Sequence, residues 1–143
     1  MTRPVKFLIG LAAALLMGWL WHGPAGQGEA LVSALETQAR QSMAQAQLPG
    51  ASVVLGRDPL SRAATLSGPA NDLQREGLGS QWGVLDYVRA TPGIGPVRWE
   101  DEPAGRVMPL LLETLAFVAL AYLIGFGLGW LFFGRRRRTS FLD

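Results

Sequence analysis

Cysteine is absent from this chain, and histidine occurs once, at His22. Without thiols there is no disulfide, no thiolate metal site and no sulfur nucleophile. A single imidazole removes most zinc-site and histidine-based catalytic designs. Charge is also scarce: 17% of the residues are charged and 49% are apolar, a low charge content for a soluble domain. The cations are placed unevenly. Arg3 and Lys6 lie at one end and Arg135, Arg136, Arg137 and Arg138 at the other, whereas residues 22–108 hold seven arginines against nine acids. A slightly acidic middle argues against nucleic acid as its partner.

What the chain does have is two long apolar runs. Thr114–Phe133 carries no charge over twenty residues, and as a helix it would span about 30 Å, the thickness of a hydrocarbon core. Pro109 suits the first turn of that helix, Glu113 complements the dipole there, and Trp130, Phe132 and Phe133 gather at the far end as interfacial aromatics do. The four arginines that follow have two readings, a patch for nucleic acid or anionic lipid and a stop-transfer flank on the cytoplasmic side. We adopt the second, because the run abuts a membrane-length segment. Such a cluster also attracts anionic headgroups. Thr139 and Ser140 resemble a kinase site, with a short polar tail as the simpler account.

The first run, Val5–Trp21, has a basic start (Arg3, Lys6) and an aromatic end (Trp19, Trp21). It reads as an uncleaved anchor over residues 1–21, with a signal peptide as the alternative. His22 reads as an interfacial polar residue. Cations on the outer flank of each run put both termini in the cytoplasm and residues 22–108 across the membrane, in a bacterium the periplasm of an inner-membrane protein. Small residues recur at four-residue spacing in both runs: Gly10, Ala14 and Gly18 in the first, Ala121, Gly125 and Gly129 in the second. That spacing lets helix backbones approach closely, in a hairpin, a homo-oligomer or docking onto another membrane protein.

Between the runs, residues 22–28 read as a flexible lead-in. Residues 29–47 read as a helix with the stripe Leu31, Ala34, Leu35, Ala39, Met43 and Ala46, stopped by Pro49-Gly50. Ala51–Leu55 and Ala63–Gly68 read as strands, with a long link between them. Asn71 or Asp72 caps a second helix reaching Thr91. Gly77, Gly79 and Gly83 weaken its first part, which is left as irregular or a separate turn. Ile94–Trp99 is a third strand, residues 100–108 a linker, 109–134 the second membrane helix and 135–143 a basic tail. The fold class is α+β: a small two-layer α-β-β-α-β domain between two transmembrane α-helices.

Within that order, "TLSG" (Thr65–Gly68) and "ATPGIGPVRW" (Ala90–Trp99) resemble the strand ends of the BON domain, a module of bacterial osmotic-shock and nodulation proteins. The resemblance covers about residues 31–99 and rests on Leu66, Ser67, Gly68, Gly93 and Val97. It implies an envelope location and association with phospholipid or envelope proteins, without catalysis.

The residues themselves point away from an enzyme. Ser61 and Ser67 have no histidine in the domain to act as base. Asp58, Asp72 and Asp86 lack metal-ligand spacing. Glu100-Asp101-Glu102 reads as a solvated linker with at most weak cation binding, and "GLGSQWG" lacks the strand and lysine of a phosphate loop. We expect no cofactor and no metal. The expected partners are membrane lipids and a membrane or envelope protein or a second copy, with no nucleic acid. The function expected is a non-catalytic anchored envelope protein, with an accessory subunit of a larger membrane complex as the alternative. A transporter or channel component would need oligomerisation, since Glu113 is the one charge near a span's interior.

Overall fold

A computed structural model describes residues 2–133 of the chain. Two helices, α1 (Arg3–His22) and α5 (Leu110–Phe133), are long and apolar enough to cross a membrane. Between them lie α2 (Gln27–Ala44), β1 (Ser52–Arg57), β2 (Leu60–Ser67), α3 (Asp72–Glu76), β3 (Gly77–Leu78), β4 (Gln81–Trp82), α4 (Val84–Arg89) and β5 (Val97–Trp99). The protein is mixed α+β.

The main sheet has the order β1-β2-β5, with β1 antiparallel and β5 parallel to β2. Its register follows the apolar alternation. Val53 faces Leu66 and Leu55 faces Ala64 across one ladder; Ala64 faces Val97 and Leu66 faces Trp99 across the other. In a strand, residues two apart share a face, so these six buried side chains form one apolar surface. Val32, Leu35 and Ala39 of α2 and Val84, Leu85 and Val88 of α4 join the same core. Leu110, the first residue of α5, is buried in it too, so the second long helix begins inside the domain core.

Several boundaries differ from the sequence reading. The link between the first two strands is mostly strand: β1 and β2 form a hairpin whose ladder closes at Arg57 and Leu60, with a bulge between Leu55 and Arg57. The second helix is split. Asn71 caps α3 through a reciprocal pair, Gln74 N–H to Asn71 Oδ1 at 2.8 Å and Asn71 N–H to Gln74 Oε1 at 3.0 Å. Gly77 (φ 78°) then ends it, and the chain makes the β3-β4 hairpin before α4. A Cβ at Gly83 would lie 2.6 Å from the Glu76 carbonyl carbon, so the hairpin closes only on glycine. The stripe of α2 holds at Leu35 and Ala39, which are buried, and at Met43 and Ala46, which pack against the core; Leu31 and Ala34 are exposed, and Val32 and Glu36 are buried in their stead. The expected flexible lead-in is a tight turn over residues 23–26, with Ala25 N–H bonded to Leu20 O and Gly26 N–H to Gly23 O.

Candidate functional site

The features that bear on function are the paired helices and the junction where they enter the domain. In α1 the glycines sit where α5 comes closest. A Cβ on Gly18 would lie 3.3 Å from Val118, and one on Gly10 would run into the Tyr122 hydroxyl. That hydroxyl donates to the Phe7 carbonyl at 2.9 Å. Phe7 also meets Phe126 edge-on at 4.8 Å. Tyr122 thus spends its polar end on a backbone carbonyl of the neighbouring helix, which satisfies it in an apolar setting. Ala14 is half-buried between the two glycines. Ala121 and Gly125 are exposed and Gly129 is half-buried; a Cβ at Gly125 or Gly129 would have nothing within 4 Å among the described residues. The small-residue stripe of α5 therefore takes no part in the contact with α1. Lys6 is exposed at the start of α1, and Arg3 is its first residue. Arg135, Arg136, Arg137 and Arg138 lie outside the described residues.

The outward faces of both helices are apolar and uncovered. Phe117 is 68% exposed and Trp130 70%; Leu8, Leu16, Met17, Leu123 and Ile124 are exposed likewise. Patches of this extent on a monomer mark contact with a membrane or another protein.

At the junction, His22 is buried, with its ring against Gly28: a Cβ there would lie 2.6 Å from His22 Cε1. The turn into α2 is therefore packed on the end of α1. On the other side, Arg62 of β2 reaches Glu113 in the first turn of α5 at 2.7 Å. The domain is tied to both long helices at one end.

Several acids of the domain are engaged within the fold, among them Glu36, Asp86, Asp101 and Glu102. Glu36, buried on α2, accepts from the guanidinium groups of Arg40 and Arg57 and from the Leu55 N–H at 3.3 Å. It fastens α2 to β1. Breaking a fully buried pair costs about 3–5 kcal/mol. Arg40 and Arg57 are half exposed and can rehydrate, so Glu36→Gln is expected to cost about 1–3 kcal/mol. A lower melting temperature in near-ultraviolet circular dichroism of the detergent-solubilised chain checks this. Asp101 accepts both of its bonds from Arg75 Nη1, at 2.9 and 2.7 Å, and that hydrogen bond holds its carboxyl below the usual carboxylate range. Arg75 in turn lies 4.5 Å over the Trp99 ring. Glu102 accepts from the Trp99 N–H at 3.2 Å. The acidic run thus closes the end of β5 and is more than a solvated linker. Among the described residues no cluster of His, Asp and Glu could hold a metal ion.

The motif residues serve packing. Leu66 and Val97 are core. Ser67 shares a hydroxyl bond with Ser52 at 2.8 Å across the β1-β2 ladder. Gly68 (φ 121°) ends β2 against the backbone of Gly50 and Ala51. Gly93 (φ 87°) admits Leu35 of α2, whose Cδ2 would be 2.9 Å from a Cβ there.

Two residues, Glu36 and Arg62, escaped the sequence reading, and so did the pairing of Arg62 with Glu113. Glu36 had a signal, a charge within the buried face of α2. The Arg62–Glu113 pair had none, since its members are remote in sequence. Comparison with protein-family models, curated proteins and solved structures finds no match for this chain.

Proposed function

We propose that this chain is a non-catalytic, inner-membrane-anchored envelope protein. Both termini lie in the cytoplasm, and a BON-like domain is presented in the periplasm for association with lipid or protein. The observation that carries the reading is the hairpin of α1 and α5: two membrane-length helices, apolar on their outward faces, enter one small domain at the same end. A bilayer covers such faces at no cost in unpaired backbone groups, because helices satisfy their own. Cations on the outer flanks orient the hairpin.

A second reading, an accessory subunit of a larger membrane complex, is favoured by the open face at Gly125 and Gly129. Gentle detergent extraction with size analysis separates the two. A monomer or dimer whose chain binds lipid vesicles supports the first reading, and a stoichiometric larger partner supports the second. Gly125→Leu combined with Gly129→Leu is expected to abolish crosslinking to a second copy or partner and leave the α1–α5 hairpin intact, because packing on small residues supplies much of helix association in lipid. Unchanged crosslinking and migration would remove that face from the association.

A further inference from the structure

The side of α5 that faces away from α1 carries a groove. At about 100° per residue, Leu115, Val118 and Tyr122, which meet the glycines of α1, fall opposite Glu113, Ala116, Phe117 and Leu120. The latter four, with Met108 and Arg62, line a groove of about 320 Å³. Its head is charged and its body is not. Arg62 Nη2 sits 2.7 Å from Glu113 Oε2, with the two side chains 36% and 19% exposed. Arg62 Nη1 is 3.5 Å from the Gly93 carbonyl, and its buried Nε has no acceptor among the described residues.

The geometry points to a bound phospholipid with a zwitterionic headgroup, its phosphate on Arg62, its ammonium on Glu113 and one acyl chain along Ala116, Phe117 and Leu120. This rests on the reading that α5 crosses a membrane. The ion pair then stands at the headgroup level, and Leu120 lies about 10 Å deeper along the helix, where acyl chains begin to dominate. Charge decides among occupants. A purely anionic headgroup would be drawn to Arg62 and repelled by Glu113, whereas a zwitterion presents one charge to each. A protein surface seated here would have to dehydrate the ion pair, which costs several kcal/mol per ion; a headgroup keeps it in a polar layer.

The test uses the full chain purified in mild detergent, supplied with equal amounts of phosphatidylethanolamine and phosphatidylglycerol, with retained lipid read by native mass spectrometry. One phosphatidylethanolamine per chain is expected, preferred about tenfold in affinity. Ala116→Trp fills the groove while keeping both charged side chains and should abolish retention. Glu113→Gln should move the preference towards phosphatidylglycerol. No retained lipid, equal retention of the two lipids, or retention untouched by Ala116→Trp overturns the proposal. So does a protein chain retained by the parent and released by Ala116→Trp. Labelling of a cysteine placed in the domain from outside the cell reports sidedness separately. If sidedness holds and no lipid is retained, the groove proposal alone fails; if sidedness fails, the membrane reading falls with it.

Discussion

Trp99→Ala is expected to unfold the middle domain while leaving the two long helices embedded. Trp99 is 2% exposed and is the largest of the fully buried side chains. It packs beside Leu66 in the sheet and beneath the Arg75 guanidinium. Truncating a buried tryptophan to alanine costs about 3–5 kcal/mol through lost transfer energy and the cavity left behind. A domain of this size has only about 3–5 kcal/mol from its core to begin with, so one substitution removes most of it. The cation–π contact and the Arg75–Asp101 bonds lose their floor at the same time. Limited proteolysis of membranes should then cut between the helices under conditions in which the parent chain resists. Trp99→Phe should cost less, because it keeps most of the volume and removes a buried indole N–H that has no acceptor among the described residues. Proteolysis of Trp99→Ala at the parental rate would mean that the domain does not depend on this core.

Gly68→Ala is the second large effect. Gly68 has φ 121°, a region that costs an L-residue about 1–3 kcal/mol. A Cβ there would also lie 2.8 Å from the Ala51 Cα and still closer to the Gly50 carbonyl oxygen. Those are backbone atoms just before β1 and cannot swing aside, so overpacking adds about 1–3 kcal/mol. The expected result is a melting temperature lowered by about 4–8 °C for each kcal/mol. Gly105→Ala, where a Cβ meets nothing within 4 Å among the described residues, should leave it unchanged. Equal melting of the two variants would contradict the close approach at the end of β2.

The contrast between these two sites says what a sequence displays. The core of the sheet was legible because Val53, Leu55, Ala64 and Leu66 alternate, whereas the strand reading ran through Gly68 and carried no sign of the close approach to Gly50 and Ala51. The ends of β1 and β2 were not legible, since Gly56 and Pro59 read as breakers while the ladder runs through a bulge to Arg57 and Leu60. Strands of two residues, such as β3 and β4, are shorter than any period and leave only their glycines as a trace. On α2 the stripe was right at Leu35, Ala39, Met43 and Ala46 and wrong at Leu31 and Ala34, whose places on the inner face are taken by Val32 and by Glu36, held inward by Arg57 and the Leu55 N–H. Contacts such as His22 with Gly28, and Arg62 with Glu113, depend on how the long helices meet the domain, and no local pattern encodes that. Of the candidate packing residues, Gly10 and Gly18 meet α5, whereas a Cβ at Gly125 or Gly129 would meet nothing within 4 Å among the described residues.

The central claim is sidedness, and the absence of cysteine makes its test clean. Single cysteines introduced as Val54→Cys, on the exposed face of β1, and as Ser140→Cys, in the basic tail, would be challenged with a membrane-impermeant maleimide on intact spheroplasts. The account predicts labelling at position 54 at once and at position 140 only after the membrane is permeabilised. Labelling of both positions from the same side would contradict it.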